Sequence, residues 1–169
     1  MLGCLLSVAL TAEAQTSGRY DTQARDGQAR FHVGAATDGP RTAWIASNDG
    51  DVDAELLDPT GAVVAADADG GPLQDARLVL PAGRDWDVRV SVAGAPEAQV
   101  FLTLEPGDVP LPTGRELVIL EARRWAEVAA AMQRRGQHAQ AAERLARAGL
   151  DLFNAGEQHL AAPRLSEAT

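Results

Sequence analysis

The chain has 169 residues, enough for one ordinary domain or two small ones, and 46% of them are hydrophobic, a normal globular share. Aromatic residues supply only 4%, so any core is built mostly from small aliphatic side chains. The formal charge is −9, and every basic residue is arginine. Fifteen acids stand against seven arginines between Gln15 and Glu105, a net of −8, whereas Gly114 to Thr169 holds seven acids and eight arginines, a net of +1. That acidic first part repels phosphate backbones and excludes a nucleic-acid partner.

Residues 1–14 open with the apolar run Leu2-Gly3-Cys4-Leu5-Leu6-Ser7-Val8-Ala9-Leu10, followed by Ala12-Glu13-Ala14. The small-x-small triplet fits signal-peptide cleavage before Gln15, and the missing basic start marks the leader as truncated. An exported protein is the expectation: periplasmic, cell-surface or extracellular. The run is shorter than the about 20 residues a membrane span needs. A lipid anchor on Cys4 fits poorly, because the apolar stretch follows the cysteine instead of preceding it.

Residues 15–28 are polar and aperiodic and read as a flexible lead-in. Seven short strands are predicted next, at Arg30–Ala35, Thr42–Ser47, Val52–Leu57, Ala62–Ala66, Ala76–Leu80, Trp86–Val92 and Gln99–Glu105. The clearest alternates Trp86, Val88, Val90 and Val92 with Asp87, Arg89 and Ser91, one face for a core and one for water. Asp58-Pro59-Thr60-Gly61 carries the residues of a type I turn. Short strands without intervening helices predict a small antiparallel β-sandwich over residues 29–105.

The proline-rich segment 106–112 suits neither helix nor sheet and marks a boundary. Residues 113–169 then read as two or three helices. Thr113-Gly114-Arg115-Glu116 matches a capping box. Val118, Ala122, Trp125, Ala129 and Met132 trace one face of the first helix, which Gly136 stops. Ala141, Leu145, Ala148 and Leu152 trace one face of the second, with Asn154 and Gly156 as terminators, and the tail begins a third. The fold class expected is therefore mainly β plus α.

Two family resemblances follow from these residues. The β module resembles the bacterial pre-peptidase C-terminal domain through Asp51-Val52-Asp53-Ala54-Glu55-Leu56, the turn Leu57-Asp58-Pro59-Thr60-Gly61, the stretch Leu80 to Val90 and the closing Phe101-Leu102-Thr103-Leu104. The helical part resembles a tetratricopeptide repeat, with Trp125, Val128, Ala129, Met132, Gly136, Ala141, Leu145 and Ala148 at that family's spacing. Phe153, where a proline is usual, and Pro163 in the tail depart from it. Such an order resembles the N-terminal part of exported repeat proteins, some of which continue into a caspase-like CHAT peptidase. The resemblance implies either a non-catalytic interaction module or the non-catalytic head of a longer peptidase.

Asn48, Asp49, Asp51 and Asp53 place four oxygen-bearing side chains within six residues, and some members of the resembled family bind calcium in this region. An EF-hand pattern fails at Ala54 and Thr60. Two readings stay open: a calcium site at Asp49, Asp51 and Asp53, with Asp67 and Asp69 as further ligands, or a solvated acidic edge. The calcium reading makes the chain an adhesion-type module. No other cofactor is expected. His32, His138 and His159 lack metal-ligand spacing, and no serine lies in a nucleophile-elbow context, so no catalytic residue is assigned. Trp86 and Trp125 fit core positions, leaving Trp44 ambiguous. Val118, Trp125, Met132, Leu145 and Leu152 are the expected protein-docking residues, awaiting a protein partner or further repeats, because one repeat cannot bury its own apolar face.

Overall fold

The computed structural model describes residues 18–68 and 75–169. Among them are eight strands: β1 (Arg19–Gln23), β2 (Gln28–Val33), β3 (Arg41–Ser47), β4 (Asp51–Leu57), β5 (Val63–Asp67), β6 (Ala76–Leu80), β7 (Trp86–Ala93) and β8 (Gln99–Pro106). Three helices follow, α1 (Arg115–Arg134), α2 (His138–Asn154) and α3 (Gln158–Glu167). The fold is a mixed β-plus-α one, as expected. The leader at 1–14, Cys4 and Asp69 lie outside the described residues.

The strands form two four-stranded antiparallel sheets, ordered β1-β8-β3-β6 and β2-β7-β4-β5. The core between them takes Phe31 and Val33 from β2, Ala43 and Ile45 from β3, Val52, Ala54 and Leu56 from β4, and Val88 and Val90 from β7. Val100 and Leu102 of β8 complete the side opposite β7. Alternation along β7 works as the sequence predicts: Trp86, Val88, Val90 and Val92 are buried and Arg89 is exposed. Trp86 donates its indole N–H to Pro81 O at 2.8 Å, so burial costs it no hydrogen bond. In the 58–61 turn, Gly61 N donates to Asp58 O at 2.9 Å. Hydrogen bonds from Thr60 and Ala62 hold the Asp58 carboxyl below its ordinary pKa.

Two local expectations need correction. The polar lead-in contains β1, which pairs along its whole length with β8, from Arg19↔Thr103 to Gln23↔Gln99. A five-residue edge strand with Tyr20 as its inward anchor shows no alternation to read; the partner strand organises it. The capping box is also not formed. Gly114, at φ 59°, occupies the cap position, its carbonyl accepts from Leu117 N and Val118 N, and no side chain caps the helix. Thr113 sits one residue too early to reach the free N–H groups. The helix ends are as predicted: Gly136 (φ 78°) and Gly156 (φ 83°) let Gln137 N and Glu157 N reach back to Met132 O and Leu152 O.

β3 and β8 differ from β7 in being buried on both faces over much of their length. Ala43 and Ile45 face the sandwich core, while Trp44 and Ala46 face outward and are still only 3% and 7% exposed. Phe101 does the same between Val100 and Leu102. The cover is helical: Ala46 and Phe101 share one apolar cluster with Val128, Ala129, Ala131 and Met132 of α1 and Ala141 and Leu145 of α2. Each large side chain sealed there contributes about 2 kcal/mol or more. The protein is thus three-layered, with sheet, sheet and helices stacked in that order. The proline-rich connection is pinned to the middle sheet: Val109 N donates to Thr42 Oγ1 at 2.8 Å, and Arg77 Nε donates to Val109 O at 2.8 Å.

Candidate functional site

Among the described residues, the seam between the sandwich and the helices holds the buried Arg124 and Asp75. Arg124 of α1 is 3% exposed and points onto the outer face of β3. Its guanidinium stacks over the Trp44 ring, 4.7 Å from the centroid, and pairs with Glu105 of β8 and Glu127 of α1. Glu105 completes a triangle by accepting the Trp44 indole N–H at 3.1 Å. Trp44 is therefore a packed seam residue rather than an exposed platform. Arg135 pairs with Asp21 of β1, and Arg144 of α2 donates to Ser47 O at 2.8 Å. Three arginines of the weakly basic helical part thus hold the acidic sandwich, which is the physical sense of the uneven charge distribution.

Asp75 is buried at the same seam, 8% exposed, and no hydrogen bond or ion pair among the described residues reaches its carboxyl. Burial pushes its pKa up to about 7, against the pull of Arg144. It lines a cavity of about 40 Å³ with Trp44, Phe101, Arg124 and Val128. That volume holds a water molecule or two and is far too small for an organic substrate.

A larger concavity opens beside it, a cleft of about 750 Å³ between the β3–β4 turn and the exposed side of α2. Asn48, Asp49 and Asp51 form one wall, Gln140, Glu143, Arg144, Arg147 and Leu150 the other, and Trp125 the floor. Arg144 and Arg147 lie 5.0 and 5.6 Å from the Trp125 ring centroid and cover much of it. The turn is rigid: Ser47 Oγ donates to Asp49 O and Gly50 O, and Gly50 N donates to Asp49 Oδ1 at 2.9 Å.

The acids singled out in the sequence are not brought together. Asp49 is on the turn, and Asp51 and Asp53 stand on the outward face of β4, their side chains alternating with the buried Val52 and Ala54. Asp67 pairs in register with Ala54, whose side chain is in the core, so it lies on the opposite face of the sheet from Asp51 and Asp53. It accepts the Arg77 backbone N–H at 2.7 Å. Among the described residues no three His, Cys, Asp or Glu converge as metal ligands would.

The expected docking residues are placed differently from the sequence reading. Trp125, Met132, Leu145 and Leu152 are 8%, 0%, 3% and 3% exposed, and Val118 is half-buried. Their apolar stripe is real, but the chain itself occupies it. Met132 and Leu145 pack beneath the sandwich, while Trp125 and Leu152 pack with Ala148 of α2 and Ala161 of α3. The exposed apolar side chains of this region are Leu150, Phe153, Leu160 and Leu165, at 51%, 53%, 36% and 41%. Sequence reasoning missed Leu150 and Phe153 because they lie off the buried stripe of α2. Their signal was the excess of large apolar residues on that helix over what one stripe needs.

No family model matches the chain, and no curated protein matches it. Among solved structures it is similar to the pre-peptidase C-terminal domain of a collagenase from Bacillus anthracis, at 10% identity over 52% of this chain and 87% of that one, with a TM-score of 0.39. It is also similar to PliG from Aeromonas hydrophila, a periplasmic inhibitor of g-type lysozyme, at 13% identity over 52% and 82%, with a TM-score of 0.34. Likenesses at this level carry no functional argument. No described helix is long and apolar enough to cross a membrane.

Proposed function

We propose that this chain is a non-catalytic, exported interaction module, in which the sandwich is a rigid base and the helical segment offers the α2–α3 flank to a protein partner. The observation that carries the reading is the position of exposed apolar surface. Four of the seven large hydrophobic residues exposed among the described residues, Leu150, Phe153, Leu160 and Leu165, are on these two helices. Their gathering on two adjacent helices supports a place where another surface sits. Support for a non-catalytic role is positional. His32 pairs with Asp87 on an open strand face, and His159 lies near Glu157 at a helix start. Support for export is the apolar leader ending in Ala12-Glu13-Ala14.

The test places a photo-crosslinking residue at Phe153, with a control at Arg84, in chain expressed to the cell envelope. The reading expects a discrete protein adduct from position 153 alone, lost when Leu150→Asp is added, and a mature N-terminus at Gln15 by mass spectrometry. Equal labelling at both positions, or an adduct indifferent to Leu150→Asp, refutes docking. An uncleaved leader in the cytoplasm refutes export.

A further inference from the structure

Every open sheet has edges, and those of a soluble sandwich are normally blunted by charge, cover or distortion. Three of the four edges here are blunted. On β1, Arg19 and Asp21 are engaged by Glu127 of α1 and by Arg135, which caps its C-terminus. Along β2 stand Gln28, Arg30 and His32, the last two paired with Asp87. At β6, Asp67 caps the Arg77 amide, and the Arg77 side chain holds Asp108 and Val109 of the connection alongside.

β5 is the exception. It reads Val63-Val64-Ala65-Ala66-Asp67, with no charge before its last residue and no proline. Val63 and Val64 are 47% and 48% exposed, and only Ala65 packs against the sandwich core. It is hydrogen-bonded to β4 on one side, and among the described residues no strand pairs with its other side. A β-branched, uncharged, unpaired edge is a template for another strand.

We propose that β5 is a self-pairing edge, joining two copies of this chain through antiparallel β5–β5 contact into one continuous eight-stranded sheet. The strand is complementary to itself in that orientation. Outward side chains must pair with outward ones, and Ala66, opposite Glu55 on β4, faces outward with Val64. A two-fold centred on Ala65 therefore sets Val64 of one copy against Ala66 of the other, large beside small. Asp67 then falls opposite Val63, away from its own counterpart. Parallel addition would instead oppose Asp67 to Asp67. Because each copy carries −9, added salt strengthens the pairing by screening. This edge is independent of the α2–α3 flank.

The experiment is sedimentation velocity on the full chain over a hundredfold concentration range, at low and moderate salt, with amide exchange followed on the peptide spanning residues 62–68. The expected result is a shift from 17.7 kDa toward twice that mass, favoured by salt, with concentration-dependent protection confined to 62–68. Val64→Lys should weaken it at least tenfold with the melting temperature unchanged, and Ala66→Lys, on the same edge, serves as a second variant. A chain that stays monomeric throughout overturns the proposal. So does a dimer that survives both substitutions, or one whose protection maps to α3.

Discussion

Replacing Asp75 with asparagine probes the seam between sandwich and helices at its least favourable group. The carboxyl is buried without a hydrogen-bond partner among the described residues, and its pKa is raised to about 7 from 3.8. A raised carboxyl binds its proton more tightly in the folded state, so its contribution is favourable below about pH 4 and is lost as the pH rises through 7. At 1.36 kcal/mol per pH unit, the full interval is about 4 kcal/mol, a ceiling that relaxation around the charge reduces. Asp75→Asn removes the titration and keeps the shape. The gain in unfolding free energy should therefore be about 1–2 kcal/mol near pH 5 and about 3–4 kcal/mol near pH 8. Urea unfolding followed by fluorescence of the three tryptophans at the two pH values measures the difference. An identical effect at both, or a loss of stability at the higher pH, would refute this account of the seam.

The Arg124–Glu105–Trp44 triangle makes a second expectation: Glu105→Gln leaves a buried guanidinium short of charge and should cost about 2–3 kcal/mol, while adding Arg124→Met should recover part of that. A double-mutant cycle by chemical unfolding measures the coupling, and strictly additive losses would count against a shared network. Gly50 sits at φ 79°, where an added Cβ would meet Ala93 O at 2.5 Å, so Gly50→Ala should lower stability by about 2 kcal/mol or more and loosen the wall of the cleft. Thermal unfolding reads the loss; a neutral result would mean that the turn is free to rearrange. Since β4 divides Asp51 and Asp53 from Asp67, millimolar calcium should leave the melting temperature unchanged, and a clear calcium-dependent rise would restore the metal reading.

Much of the fold is local and therefore legible in the chain. The alternation of Trp86 to Val92 produces a half-buried strand in any context that offers a core, because side chains of a pleated strand must take opposite faces. The 58–61 turn and the glycines at 136 and 156 act through their own backbone geometry, and the structure forms them where they were expected. The apolar stripes of α1 and α2 were likewise visible, together with the residues on them.

What covers those stripes was decided only by tertiary packing. The stripe holding Met132 and Leu145 meets Ala46 and Phe101, residues between 31 and 99 positions away, and no periodicity within a helix encodes such a partner. A faint trace did exist in the unbroken apolar runs Ala43-Trp44-Ile45-Ala46 and Val100-Phe101-Leu102, since a strand buried on both faces cannot alternate. β1 was invisible for the opposite reason: its backbone pairs with β8 while its side chains stay largely polar. The acids 49, 51, 53 and 67 are close in sequence, yet the pleat and the register put Asp67 on the far side of the sheet from Asp51 and Asp53. Composition and local geometry determined most of the elements, β1 excepted, because those depend on a few neighbouring residues. Which faces remain free to bind depended on long-range contacts, which a linear pattern does not contain.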